Sequence, residues 1–428
     1  MKYGKSLNNR RKFLRNSGIL GVGMPFAVSS CHQTKKTNNN PGSVDYTALD
    51  HAGQKAVIDK SKFRDPLILE TIDLLKYKDN FICRIRTENG AEGISVSNNM
   101  QMATLYPVFL RRIKPFFLGK DVRKIESLLE EVYVFESNYK LQSLAIWVPL
   151  ATLEFAILDL LGKISGESIG EVLGGVRQTE IAVYRANNHR GESAEKSLEK
   201  IMRTVEESQA KAIKFKIGGR MSREEYPKGR SEKLIPMVRE AFGSDMTIYT
   251  DSNGSYDIKE AIRIGKICEE NQLDFYEEPV PFDWYEETRT VTKSLDIPVA
   301  GGEQEGSMHN FRWLIGNDAL DIVQPDVFYF GGMIRSMRVA RMAEVKDKTC
   351  VPHISGSGLG YLYMLLFVSA LKNPGPYHEF KGLNKEIPFN CPTSELRSKN
   401  GKVKVPTGPG TGIEIDPSFI AKHRVLEA

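Results

Sequence analysis

The chain has 428 residues, of which 41% are hydrophobic and 26% are charged, which is typical of a globular protein with one large and one smaller domain. Its formal net charge is +5, but six of the 59 basic residues lie in the first 30 positions, which contain no acidic residue. The rest of the chain therefore has 53 basic against 54 acidic residues, and this balance argues against nucleic acid as a partner.

Residues 1–31 have the pattern of an export signal. The segment Asn9-Arg10-Arg11-Lys12-Phe13-Leu14-Arg15 resembles a twin-arginine motif, and the apolar run 19–28 behind it is too short to span a bilayer. Val28-Ser29-Ser30-Cys31 has the pattern of a lipoprotein processing box, with Cys31 as the acylated residue. The alternative is a plain signal peptide with an incidental cysteine. We therefore expect twin-arginine export to the periplasm, with any membrane contact made through a lipid at Cys31.

A flexible tether is expected over residues 32–63, where the first part is rich in polar residues, followed by an α+β domain over 64–178. Alternating strands are predicted from Ile68 to Ser97, with a hairpin turn at Asn89-Gly90. Helical periodicity follows between about Met102 and Leu173. The remaining cysteines are scattered and form no CxxC pair, so neither zinc nor a disulfide framework is predicted.

Residues 179–387 alternate between short strands and helices, which favours a (β/α)-barrel over an open sheet. The predicted strands are Ile181–Tyr184, Ala212–Ile217, Thr247–Thr250, Leu273–Tyr276, Ile297–Ala300, Ile322–Gln324, Thr349–Pro352 and Gly375–His378. The tail over 388–428 is rich in proline and glycine and is predicted to be mostly irregular chain over the surface.

Three acidic residues follow consecutive predicted strands at a constant interval. Asp251, Glu277 and Glu303 are 26 residues apart, about the length of one strand–helix unit. Side chains at the carboxyl ends of barrel strands meet at one mouth, where three carboxylates would repel one another unless a cation neutralised them. An oxygen-only ligand set favours Mg²⁺.

Two groups of possible proton donors and acceptors flank these acids in the strand order. Lys214 and Lys216 lie on one face of the strand before Asp251, and two adjacent ammonium groups are expected to lower each other's pKa, which suits a base. On the other side, Asp326 follows one strand and His353 the next, so the aspartate can orient the imidazole for acid–base chemistry. Glu379, at the end of the last strand, could hydrogen-bond a substrate oxygen.

Taken together, these residues resemble the mandelate racemase subgroup of the enolase superfamily, over about residues 64–420. The motifs that carry the resemblance are Lys214-x-Lys216, Asp251-x-Asn253, Glu277-Glu278-Pro279, Gly301-Gly302-Glu303, Asp326, His353 and Leu173-Gly174-Gly175. The resemblance implies a (β/α)₇β barrel of the α/β class with an α+β capping domain, completed by the tail 388–428 packed on it. A Lys or His base working with Mg²⁺ is an established combination in this superfamily.

The resemblance also assigns roles to individual residues. It implies Asp251, Glu277 and Glu303 as Mg²⁺ ligands, Lys216 as one base, and the pair Asp326 and His353 as the opposed acid or base. Lys214 and Asn253 would bind the substrate, and Glu379 would stabilise the enediolate oxygen. Two regions depart from the expected pattern: the loop 95–99 lacks a glycine–glutamate ending, and the insert 226–230 lengthens the loop after Lys216.

The expected reaction is Mg²⁺-dependent removal of the proton next to a carboxylate, through an enediolate, in a small-molecule acid. Dehydration of an acid sugar to a 2-keto-3-deoxy acid, as in carbohydrate catabolism, is the first choice. Racemisation, epimerisation or cycloisomerisation needs the same groups and stays open as the alternative. A non-catalytic solute-binding lipoprotein is the rival from another class, and it has no use for opposed bases around a metal site. A homo-oligomer is expected.

Overall fold

The computed structural model describes residues 44–355, 358–383 and 386–427. The export signal over 1–31, the processing box at Cys31 and the first part of the expected tether, 32–43, lie outside the described residues. Everything below concerns the body that begins at Val44.

The capping domain consists of an antiparallel sheet with helices packed on one side. Helix α1 (Thr47–Gln54) precedes this domain. The elements of the domain are β1 (Leu69–Tyr77), β2 (Asn80–Thr87), β3 (Glu92–Val96), α2 (Asn99–Val108), α3 (Lys114–Phe117), α4 (Ile125–Val134), α5 (Leu144–Ser165) and α6 (Ile169–Val172). The predicted hairpin at Asn89-Gly90 joins β2 to β3, and Gly90 has the positive φ of 83° that such a turn requires.

Helix α5 forms the centre of this domain. It is long and apolar enough to cross a membrane, but 89% of its apolar window is buried within the protein. It packs on β3 and α2, and its side chains belong to the same hydrophobic core as those of the sheet. An all-round apolar helix of this kind is a core helix here, because its whole circumference is covered by protein.

Eight parallel strands alternate with seven helices in the barrel. They are β4 (Glu180–Asn187), α7 (Ala194–Ser208), β5 (Ala212–Lys216), α8 (Arg230–Phe242), β6 (Thr247–Asp251), α9 (Ile258–Glu270), β7 (Phe275–Glu277), α10 (Tyr285–Ser294), β8 (Val299–Gly301), α11 (Met308–Gly316), β9 (Ile322–Val323), α12 (Met333–Glu344), β10 (Thr349–Cys350), α13 (Gly360–Ala370) and β11 (His378–Glu379). The strand order is β10-β9-β8-β7-β6-β5-β4-β11. A bridge between Cys350 and Pro374 brings β10 to the segment before β11. The predicted (β/α)₇β barrel with an α+β cap is confirmed.

A layer of inward-pointing side chains fills the barrel below its mouth. It contains Tyr184, Ala186, Ala212, Tyr249, Phe275, Ala300 and Val351, all buried. A packed layer of this kind supports the polar residues at the strand ends above it and excludes water from beneath them.

The tail contributes short elements that pair with both domains. It forms β12 (Phe389–Asn390), β13 (Lys402–Lys404), β14 (Glu414–Ile415), α14 (Pro417–Ile420) and β15 (Arg424–Val425). Strand β13 pairs with β4 of the barrel, and β15 pairs with β1 of the capping sheet. Most of the described tail lies outside these short elements, so the expectation of mostly irregular chain is confirmed. The strands themselves take their partners from distant elements, which local proline and glycine content does not reveal.

Residues 44–63, which we call the strap, contradict the expected flexible tether for that part of the chain. Helix α1 packs on α12 and α11, and Asp50 forms a bidentate ion pair with Arg312 of α11. Further along, the backbone amides of Val57 and Ile58 donate to the buried Glu126 carboxylate of α4. The strap therefore connects the barrel to the capping domain.

Candidate active site

Strand register brings the predicted acids together at the barrel mouth. Lys216 on β5 pairs with Asp251 on β6, and Asp251 pairs with Glu277 on β7. Glu303 follows β8 by two residues. One carboxylate oxygen from each of Asp251, Glu277 and Glu303 lies within 4.8 Å of the others, and all three residues are buried. The constant spacing in the sequence therefore corresponds to one cluster in space.

Gly302 allows Glu303 to turn into this cluster. Its φ of 108° is one that other residues rarely adopt, and a Cβ at this position would lie 2.6 Å from Cε1 of Phe311. The glycine is therefore required both by the backbone angle and by the contact with α11.

The two lysines contact the cluster from β5. Nζ of Lys214 lies 2.9 and 2.7 Å from the two carboxylate oxygens of Glu277, and Nζ of Lys216 bonds to Oδ2 of Asp251. Burial disfavours the Lys214 charge, but the surrounding carboxylates, Glu277 foremost, raise the pKa of Lys214 well above its usual value. The expected lowering of its pKa by the neighbouring ammonium is thus wrong for Lys214, because the carboxylates around it outweigh the second cation.

The predicted dyad is formed on the opposite side of the cluster. Nδ1 of His353 lies 2.7 Å from Oδ2 of Asp326, and Nε2 of His353 lies 3.2 Å from Oε2 of Glu303. Burial lowers the pKa of His353, but Glu303 and Asp326 oppose this and raise it to about 9. Asp326 is fixed by backbone amides: Phe328 and Tyr329 donate to Oδ1, and Ser355 donates to Oδ2.

Glu379 completes the ring from β11. Its Oε2 lies 3.9 Å from Nζ of Lys214, and its Oε1 lies 2.7 Å from Nζ of Lys381. Burial raises the pKa of Glu379, yet Lys381 and Lys214 more than offset this and lower it to about 2. Among the described residues Oε2 accepts no hydrogen bond, so it is free to face a bound molecule.

Asn253 is used within the protein. Its Nδ2 donates to Asp251 and Glu278, at 3.3 and 3.4 Å, and its Oδ1 accepts from Nη2 of Arg190 at 3.0 Å. The expectation that Asn253 binds substrate is therefore not supported: the side chain is buried and its polar atoms already have partners, so it supports Asp251.

The mouth fits a divalent cation. Carboxylates outnumber cationic side chains there; the acids are Asp251, Glu277, Glu278, Glu303, Asp326 and Glu379, and the cations are Lys214, Lys216, Lys381, His353 and Arg190. Burial and the neighbouring Asp251 raise the pKa of Glu277 to about 7. Buried Oε1 of Glu278 accepts no hydrogen bond from the described residues, and buried Oε2 of Glu303 has the ion-pair contact with His353 but no hydrogen bond from them. Excess negative charge and orphaned hard oxygen acceptors are what a divalent ion such as Mg²⁺ would satisfy.

Both regions that depart from the sequence pattern border the site. In the capping loop, Nδ2 of Asn98 donates to Oγ of Ser355 at 2.6 Å, next to the dyad. In the lengthened loop after Lys216, the backbone amide of Met221 donates to the carbonyl of Asn253 at 2.8 Å. The capping domain and the loop thus meet the residues that hold His353 and Asp251.

Sequence reasoning missed three residues that support the site. Gln324 donates to Glu277 Oε2 at 3.0 Å, and it stands at the end of a predicted strand, where inward alternation was a usable signal. Lys381 lies two residues after Glu379, so same-face alternation could have found it. Arg190 donates to the backbone carbonyls of Ile217 and Asp251, and no sequence pattern indicates such contacts.

Comparison with known proteins agrees with this geometry. Residues 196–419 match the family described as "Enolase C-terminal domain-like". The chain is 28% identical over 345 residues to arabinonate dehydratase of Saccharolobus solfataricus, covering 79% of this chain and 89% of the relative. It is 28% identical over 319 residues to D-galactarolactone cycloisomerase of Agrobacterium fabrum, covering 72% and 82%.

A similar solved structure is the mandelate racemase/muconate lactonizing protein from Paracoccus denitrificans PD1222 complexed with magnesium. It is 25% identical, covers 84% of this chain and 99% of its own, and superposes with a TM-score of 0.74. The family match spans more than half of this chain, and the predicted resemblance is confirmed. The chain belongs to the mandelate racemase/muconate lactonizing enzyme family of the enolase superfamily.

Proposed function

We propose that this enzyme removes the proton next to the carboxylate of an acid sugar and expels a β-hydroxyl, giving a 2-keto-3-deoxy acid. The observation that carries the proposal is the position of Lys216 and His353 on opposite sides of the carboxylate cluster. Lys216 stands beside Asp251 and His353 beside Glu303. A molecule held at the cluster would thus have a proton acceptor on one face and a proton donor on the other.

Asp251, Glu277 and Glu303 would hold the Mg²⁺. When bound, the ion would neutralise these carboxylates and stabilise the negative charge that forms on the substrate carboxylate as the α-proton leaves. Lys214, held by Glu277 within the barrel, adds positive charge at the same point. Without that stabilisation the α-proton is too weakly acidic for a side-chain base.

The proton transfers then follow from the two sides. Lys216, acting as the base, accepts the α-proton, and the electron pair of the C–H bond passes into the enediolate. The β C–O bond breaks as His353 donates its Nε2 proton to the departing hydroxyl, which leaves as water. Asp326 keeps Nδ1 of His353 in place during this transfer. The resulting enol takes up a proton at C3, releases the proton of its C2 hydroxyl to solvent and becomes the 2-keto-3-deoxy acid.

Several relatives support a dehydratase, including arabinonate dehydratase and the D-xylonate dehydratase of Haloferax volcanii, which is 25% identical over 330 residues. The second candidate is racemisation, epimerisation or cycloisomerisation, which the D-galactarolactone cycloisomerase relative favours. In that reaction one base removes the proton, and either the other returns it or an internal leaving group departs. The rival solute-binding role does not explain the opposed lysine and histidine.

Proton NMR in D₂O separates these candidates. Purified full-length chain with Mg²⁺ would be incubated with mono- and diacid sugars, with Glu277→Gln as the inactive control. Dehydration predicts loss of the α and β signals and appearance of a new upfield signal from a C3 that carries one hydrogen and one deuterium. Deuterium incorporation at the α carbon without loss of water would reject dehydration and favour the racemase or epimerase. Tight binding without any exchange would support the solute-binding role.

We also propose that the enzyme is exported by the twin-arginine route to the periplasm. The support is the arginine pair and the apolar run of the leader, together with the absence of any CxxC pair in the sequence. Proteins on this route cross the membrane already folded, so a chain that folds in the cytoplasm needs no disulfide.

A further inference from the structure

A second cavity lies beside the barrel mouth, between the capping domain, the strap and the loops after β7 and β8. Its volume is about 840 Å³, within the range of about 300–1,000 Å³ typical of small-molecule sites. Aromatic residues Tyr133, Trp147, Phe282 and Tyr285 line it together with the polar groups of Gln142 and Gln304. None of these residues belongs to the predicted catalytic set.

The unusual residue in this cavity is Arg335, the third residue of α12. It is only 5% exposed, and among the described residues no carboxylate lies within salt-bridge distance of its guanidinium. Its Nε donates to the carbonyl of Phe330 at 2.7 Å and its Nη2 to that of Gly306 at 3.2 Å, whereas Nη1 has no protein partner in the described part of the chain. A buried charge without a counter-charge is costly unless something else neutralises it.

The other cations of the cavity wall are neutralised. Arg338 pairs with Glu126 and Glu130, at 3.1 and 2.9 Å, and Arg312 pairs with Asp50 of the strap. The wall also contains the buried carboxylate of Glu305, which accepts from Tyr285 and Asn310. Among the cations of the wall, the unpaired charge is confined to Arg335. This distinguishes it from an ordinary surface arginine, whose charge water would stabilise.

The guanidinium is also held in a fixed orientation. It lies over the ring of Trp147, 3.8 Å from the centroid, and 4.7 Å from the ring centroid of Phe330. Trp147 in turn stacks on Tyr133 with the ring planes 11° apart. A planar cation fixed between two rings loses little freedom when it binds an anion, so its free edge is a prepared hydrogen-bond donor.

We propose that this cavity is a second binding site, in which Arg335 receives the carboxylate of a hydroxylated acid of the acid-sugar class. The amides of Gln142 and Gln304 can bond hydroxyl groups, while Phe282 and Tyr133 offer apolar contact to the carbon chain. That Arg335 binds an anion does not depend on the proposed function. The choice of an acid sugar as the ligand does rest on the proposed function. Gln304 also donates to Oε1 of Glu303 at 3.0 Å, so the two sites share one residue.

Binding of gluconate to the full-length Glu277→Gln protein in EDTA tests the proposal, because this background removes the metal site from the measurement. Isothermal titration calorimetry should show one gluconate per chain, and the melting temperature should rise with gluconate concentration. Sorbitol, which lacks the carboxylate, should give neither signal. Adding Arg335→Met, which keeps an apolar side chain between the rings, should weaken binding about tenfold or more, since a hydrogen bond to a charged group is lost.

A pair of charge variants keeps the test decisive if Arg335→Met fails to fold. Gln142 is exposed at the cavity rim, so Gln142→Glu should weaken gluconate binding and Gln142→Lys should strengthen it. Gln178→Glu, two residues before β4 and outside the cavity lining, makes the same change of charge as a control and should leave binding unchanged.

Three results would overturn the proposal. They are equal binding of gluconate by the Arg335→Met and parent proteins, binding of inorganic phosphate but not gluconate, and a dimer whose partner chain fills the cavity. Because turnover is not measured, these outcomes stand apart from any failure of the proposed reaction. Absence of acid-sugar turnover alongside intact gluconate binding would reject only the reaction.

Discussion

Replacing Asp326 by asparagine should remove most of the activity while leaving the fold intact. Each carboxylate oxygen of Asp326 accepts from two groups, Oδ1 from the amides of Phe328 and Tyr329 and Oδ2 from the amide of Ser355 and from His353. An amide NH₂ in either position must therefore face an N–H donor. The cost in folding free energy is about 1–3 kcal/mol, the penalty for one unsatisfied buried donor.

The effect on the reaction should be larger than the effect on stability. With NH₂ in place of Oδ2, Nδ1 of His353 becomes the acceptor, so the ring proton moves to Nε2 and the ring loses the charge that Asp326 stabilises. Loss of general acid–base help costs about 10²–10⁴-fold in rate, or about 3–5 kcal/mol in the barrier. The assay is kcat/KM on the acid sugar found in the NMR screen, with urea unfolding in parallel.

Asp318→Asn is the matched control, because Asp318 undergoes the same change of charge at an exposed position whose φ of 54° suits asparagine. It should lose less than twofold in rate. Wild-type kcat/KM in Asp326→Asn, or a loss that tracks unfolding alone, would refute the assignment of the dyad.

Three further results are expected. Glu277→Gln should lose Mg²⁺ binding in calorimetry and all Mg²⁺-dependent turnover, and undiminished activity would reject the metal assignment. Glu154→Gln should lower the free energy of unfolding, measured with urea, by about 1–3 kcal/mol, because the buried Glu154 carboxylate accepts hydrogen bonds from two backbone amides at the start of α12. Replacement of the exposed Glu131 by glutamine is the control, and equal stability of the two variants would contradict this role. A reporter fused after Ser43 should reach the periplasm, and Arg10→Lys with Arg11→Lys should block this; cytoplasmic retention of the intact leader would refute export.

The barrel could be predicted because its strands carry a strong local signal. Each strand is a short apolar run, and the intervals between runs match one strand–helix unit, so all eight were located from the sequence. The ends of the strands were predicted less accurately: β9 and β10 each have two residues in the structure, fewer than the sequence predicted. The strap and tail strands depend on partners far along the chain, such as α12 for α1, and no local pattern predicts such docking.

The candidate site was predictable to the extent that parallel register converts sequence spacing into proximity. The acid cluster and the pairing of Asp326 with His353 follow from that rule. Hydrogen bonds to backbone carbonyls do not, which is why Arg190 was missed. A sequence also does not show which side-chain donors already have hydrogen-bond partners within the protein. For that reason Asn253 was predicted to bind the substrate, although its amide is hydrogen-bonded to Asp251, Glu278 and Arg190.

The pairing of β15 with β1 has a consequence for how the protein is made. Leu75 pairs with Val425, a residue synthesised 350 positions later. During translation the outer edge of β1 stays unpaired until residues 424–425 have left the ribosome, and an open strand edge can recruit other chains. Assembly of the cap is thereby postponed until after the barrel has been synthesised, and a truncation that removes residues 424–425 should promote aggregation of newly made protein.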